Sequence, residues 1–186
     1  MSVDISIVAL IDDAEEFFGE LGDRNTKIAL SLGVKRTGRQ ATAKSATLIA
    51  KAMGLKTGIV RERLRLSLPR NLDDLSATIT GRGNAMSLIH FGAKQRRKGV
   101  SAKAWGERRT YPHTFIARAN GGGDQVFARK GSDRLPIRKL FGPGIAQTMA
   151  DAEVFAAIED HAEERLETNI AREIDRRLRK VRGKAR

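Results

Sequence analysis

"RLRLSLPRNLDDLSATITG", Arg63–Gly81, is where the period of the chain changes. Leu64, Leu66 and Leu68 alternate with Arg63, Arg65 and Ser67, and Leu75, Ala77 and Ile79 then alternate with hydroxyl residues. A two-residue period sends successive side chains to opposite faces of an extended chain, so both runs predict half-buried strands. On both sides of this stretch apolar residues recur instead at three- and four-residue steps, the spacing of an amphipathic helix. The division predicts an α+β fold with N-terminal helices, a central, mostly antiparallel sheet with long loops, and a long C-terminal helix.

Upstream, Val3, Ile7, Leu10, Ile11, Ala14, Phe17, Phe18 and Leu21 predict an acidic amphipathic helix over 1–22, closed by Gly19 and Gly22. Residues 25–54 predict a second, basic helix, although Gly33 and Gly38 each cost about 1 kcal/mol relative to Ala in a helix interior. Sheet and loops are expected over 63–147. Within them "SLIHF" is a short candidate strand, and "TFIARA" and "QVFARK" flank "NGGGD", a hairpin-like break. A C-terminal helix is predicted over 148–182, with a capping-box-like start at Thr148 and Asp151. Its stripe runs through Phe155, Ile158, Ala162, Leu166, Ile170, Ile174, Leu178 and Val181. At ~1.5 Å per residue such a helix is about 50 Å long, more than the diameter of a small domain. Its tip, with Ile174, Leu178 and Val181, is therefore expected to reach another subunit or a neighbouring protein. With no internal repeat and no linker, 1–186 is expected to form a single domain.

The 186 residues are 40% hydrophobic but only 5% aromatic, so the core must be aliphatic. There is no Cys, which excludes disulfides, thiolate metal sites and cysteine nucleophiles. The N-terminus lacks a basic n-region and no apolar stretch approaches the ~20 residues of a bilayer helix, so an intracellular product with no membrane partner is expected. His90, His113 and His161 lie in three different segments, and no H-E-x-x-H, G-x-S-x-G or P-loop pattern occurs. No catalytic, cofactor-binding or metal-ligating residue is identified, and a non-enzyme is expected.

Charge carries more. The net charge is +13, and residues 1–23 hold seven acids and no base, whereas residues 24–72 hold twelve bases and one acid. "GAKQRRKGVSAKAWGERRTYP", 92–112, sets Lys94, Arg96, Arg97, Lys98, Lys103, Arg108 and Arg109 around the only tryptophan, Trp105, against one acid, Glu107. Cations at that density neutralise phosphates, and a nearby ring can stack on a base. Two readings stay open. In one the stretch is a basic loop that meets nucleic-acid backbone, and in the other Trp105 is a packed core residue and the loop's charges meet acids on a neighbouring protein. In "LPIRKLFGPGI", Leu135, Ile137, Leu140 and Phe141, together with Pro136 and Pro143, form either a rigid connection over the sheet edge or a clamp between subunits.

"FGAKQRRKGVSAKAWGERRTYPHTFIAR" followed by "FARKGSDRLPIRKLFGPGIAQ" resembles the minor tail protein Z family of long-tailed bacteriophages, and "IALSLGVKRTGRQATAK" and "VRERLRL" are similar to it as well. The resemblance runs from Lys27 to Met149. It implies a structural tail-completion protein at the head-proximal end of the tail, part of the tail-to-neck joint and DNA channel. It further implies a place in the virion tail, with the host cytoplasm as the site of assembly. A homo-oligomeric ring, with a hexamer favoured, is implied too, and so are neighbours such as the tail terminator or tail tube and the head connector. A backbone contact with genomic double-stranded DNA is the remaining implied partner. The rival class is a sequence-independent DNA-binding protein acting through the basic loop.

Overall fold

A computed structural model describes residues 2–8, 21–118 and 122–184. The period-two runs become β2 (Leu64–Ser67) and β3 (Ser76–Arg82), paired antiparallel with Leu66 opposite Ile79. The other edge of β3 is taken by β1 (Ser2–Val8), with Ile5 opposite Ile79, so the first sheet has the order β1-β3-β2. This corrects the acidic helix expected over 1–22. Ile5 and Ile7 are both buried while Asp4 and Ser6 are exposed. Residues two apart share a face only in a strand; a helix would turn them to opposite sides. Residues 9–20, which hold most of that expected stripe, lie outside the described residues.

The expected basic helix is α1 (Asp23–Met53), unbroken across both glycines. Their role is close approach. A Cβ on Gly33 would sit 2.8 Å from Cγ1 of Ile170, and one on Gly38 would sit 3.0 Å from Cβ of Ala77. One glycine seats a second helix on α1 and the other seats the first sheet. A short α2 (Thr57–Arg61) then leads into β2.

The single central sheet expected is instead three small antiparallel ones. After β3, "SLIHF" is not a strand. Leu88–Phe91 form a 3-10 turn that buries Leu88 and Phe91, three residues apart, and Gly92 closes it with φ 62. β4 (Lys94–Arg96), β5 (Gly99–Ala102) and β6 (Arg109–Pro112) form the second sheet in that order. β7 (Thr114–Arg118), β8 (Asp124–Arg129) and β9 (Ile137–Lys139) form the third. The physical reason for the split is that these strands are short and turn back at once on their sequence neighbours.

α3 (Ile145–Met149) packs Met149 over Gly81 of β3, where a Cβ would meet its sulfur. α4 (Ala152–Lys184) follows. Its cap is Asp151, whose Oδ1 accepts from the backbone N–H of Glu153 and Val154 at 3.2 and 3.4 Å; the Thr148 hydroxyl donates backward to the Gly144 carbonyl instead. The helix therefore starts at 152 rather than 148. It runs antiparallel to α1: Asn169 donates to Thr37 and Gln40, Ile170 faces Gly33, and Ile174 is buried with Leu21 and Ala29. At ~1.5 Å per residue α1 is about 46 Å long, so α4 lies along a helix of nearly its own length. Leu178 also packs on that small cluster, so the stripe is matched within the chain as far as Leu178, and Val181 remains exposed.

Candidate interaction surface

The basic stretch is a folded meander, which corrects the reading of it as a loop. Arg96 pairs with Gly99, leaving Arg97 and Lys98 as a two-residue connection. Tight hairpin turns usually need positive φ. Neither Arg97 nor Lys98 has it, and Gly99 supplies it with φ 140. A Cβ on Gly99 would collide with the Tyr111 carbonyl oxygen, so only glycine fits where β5 pairs with β6. β5 is buried throughout, and its flanks are tied down by side chains. The Val100 N–H donates to Thr114 Oγ1 at 2.9 Å, and the Ile116 N–H donates to Gln95 Oε1 at 2.9 Å, which joins the second sheet to the third.

This scaffold holds Lys94, Arg96, Arg97 and Lys98 in solvent on β4 and its turn. Lys103 is exposed beyond β5 while its N–H donates to the Phe91 carbonyl at 2.8 Å. Arg108 folds back, donating to the Gly92 carbonyl and to Ser101 Oγ, both at 3.3 Å. Arg109 pairs with Glu107 at 2.8 Å. Trp105 is not a core residue: it is 57% exposed with φ 56, a backbone conformation uncommon for an aromatic residue, and lines an open cleft with Pro143 and Val154.

Sequence reasoning centred on residues 92–112 missed half of this surface. Residues 92–139 contain thirteen Lys and Arg against three acids, a net +10 of the molecule's +13, and all thirteen bases are exposed. The added cations are Arg118, Arg129, Lys130, Arg134, Arg138 and Lys139. A charge count over a longer window would have found them. Arg129 lies over the Phe115 ring, 5.6 Å from its centre, and Lys139 lies over Phe141 at 5.3 Å. His113, at φ 57, stands between two open clefts, one of about 440 Å³ beside Arg97 and Lys98 and one of about 490 Å³ beside Arg129 and Lys130.

β9 is itself the edge of the third sheet, not a cover over it. Leu135, Ile137 and Phe141 are exposed along it, while Leu140 is half-buried and bonded through its backbone to Val126 and Leu88. His90 and His113 are exposed and His161 is half-buried on α4, so the three histidines sit on separate elements. Among the described residues no group of three or more His, Asp or Glu could hold a metal ion, and no helix is long and apolar enough to cross a membrane.

A family model described as Prophage minor tail protein Z (GPZ) matches residues 20–184. The match therefore takes in α1 and α4 as well as the motifs around the basic sheet. No curated protein and no solved structure matches the chain.

Proposed function

The chain belongs to the prophage minor tail protein Z family, which gives it a structural role in a phage tail, and from that premise we propose that it completes the tail at its head-proximal end. In this reading copies of the chain form a homo-oligomeric ring between the tail tube or terminator and the head connector. The ring borders the DNA channel and catalyses no reaction. The observation that supports it is the folded basic surface: thirteen exposed cations on two small sheets and their connections, far more charge than the fold itself requires. A surface of that kind needs an anionic neighbour, and a joint between tail and neck supplies one in acidic protein faces and in DNA phosphates.

Complementation tests the proposal. A phage lacking its own family member should regain head-joined, infectious particles when this chain is supplied, and labelled chain should lie at the head-proximal end. Normal head joining without the chain, or label at the distal tip, would overturn the reading. The clefts on either side of His113 favour a second reading, a free sequence-independent DNA-binding protein. Its signature would be tight binding of duplex by a monomer, with affinity that falls steeply as salt rises.

A further inference from the structure

The molecule carries a second unneutralised surface, opposite in sign to the first. Residues 151–167, the cap and first half of α4, contain seven acids and one base, Arg165, and all seven acids are exposed. Asp151 and Glu153 are accounted for by the helix N-terminus, where negative charge is favoured within the first turn. The other five are not. Glu159, Glu163 and Glu167 stand four residues apart, and so do Asp160 and Glu164, spacings at which like charges repel along a helix. None of them forms an ion pair among the described residues. The same holds for Lys94, Arg96, Arg97 and Lys98 on the hairpin. Among the described residues no ion pair offsets the repulsion within either surface.

We propose that these two surfaces are the two halves of one interface: the basic hairpin of one copy docks on the acidic first half of α4 of the next. The inference rests on the ring reading above and names the neighbour that its basic surface meets. A second copy satisfies both surfaces at once. A DNA backbone would satisfy only the cations and would be repelled by the acidic helix. Because the two patches differ, the contact is head-to-tail, the type that closes into a ring or runs on as a filament, rather than a two-fold dimer. Opposite charge at the rim sets register and excludes wrong pairings more than it adds affinity, so the contact should be steeply salt dependent.

Charge exchange on the full-length chain tests this. Reversing the hairpin with Arg96→Glu, Arg97→Glu and Lys98→Glu makes both surfaces acidic. Reversing the helix with Glu159→Lys, Glu163→Lys and Glu164→Lys turns residues 159–167 from a net −4 to a net +2, so that there both surfaces are basic. All six positions are exposed, so circular dichroism should show both variants folded. By sedimentation velocity at low salt, the wild type should self-associate, each variant alone should do so at least about tenfold more weakly, and an equimolar mixture should recover. The chain carrying all six changes should recover as well. A mixture that stays monomeric, or a wild type that is monomeric or equally associated at low and high salt, overturns the interface. So does a hairpin variant that loses only duplex DNA binding while its self-association is unchanged. Complementation by the wild type reports the tail-completion role separately, so success there with failure of the mixture rejects this interface alone.

Discussion

At Gly99 the backbone conformation and the space agree, since φ is 140 and the Tyr111 carbonyl stands where a Cβ would go. Gly99→Ala should therefore lower stability by about 2–4 kcal/mol, strain and displacement together, measured by urea unfolding. An unchanged midpoint would mean that β5 and β6 part without cost. Nothing in the sequence singles this glycine out from its neighbours, because the carbonyl it faces lies on another strand. His161 offers a pH test. Burial, then Lys44 and Arg165, hold its pKa below the ordinary 6.5. The unfolded chain therefore takes up the proton first, so the contribution of His161 is full above pH ~6.5 and declines as pH falls toward the folded value. His161→Gln should flatten that part of the melting temperature against pH curve. A curve of the same slope in both proteins would place the dependence elsewhere. Trp105 shows the limit of reading by residue type, because a lone tryptophan suggests a core and here the backbone turns it outward.

The two long helices hold each other along their length. Ile174 is buried against Leu21 and Ala29, so Ile174→Ala should cost about 2 kcal/mol, whereas Val181→Ser should stay within about 0.5 kcal/mol. Truncation after Glu173 should accordingly lower the melting temperature, and truncation after Lys180 should not. Equal effects from both would mean that the helix end is anchored by something other than the Leu21 cluster. The long elements were legible in the sequence. α1 declared itself by its Ala, Leu and Lys/Arg content and α4 by its stripe, and β2, β3, β7 and β8 by alternation or by flanking a glycine turn. β1 was not, because Val3 and Ile7 fit a helical step as well as a strand step, and only pairing with β3 decides between them. Leu88–Phe91 failed for a similar reason: five residues are too few to distinguish a strand from a helical turn. The site was half legible: its hairpin cations stand out by density in a short window, whereas Arg118 and Arg129 to Lys139 are spaced more thinly and emerge only from a charge count over a longer one.

For the molecule as a whole, a net +10 over residues 92–139 is a liability to the isolated domain that its partner must relieve. Replacing Arg96, Arg97 and Lys98 together by Gln should leave the melting temperature unchanged or slightly higher, since exposed charges add little to stability. The same change should impair assembly of head-joined particles in the complementation assay. A large drop in melting temperature with normal assembly would return these cations to a role inside their own domain. The antiparallel α1–α4 pair has a different bearing, on the order in which the chain is made. Thr37 and Asn169, 132 positions apart, are hydrogen-bonded, and Ser6 and Thr78 meet across 72. Contacts so remote must wait for their second half, and such topologies close slowly. On the ribosome α1 emerges early, and the part of it that faces Ile170 and Ile174 stays bare until α4 is synthesised, an interval in which a chaperone has a binding site. A product terminated before α4 never covers that part of α1 and leaves it open to the chaperone.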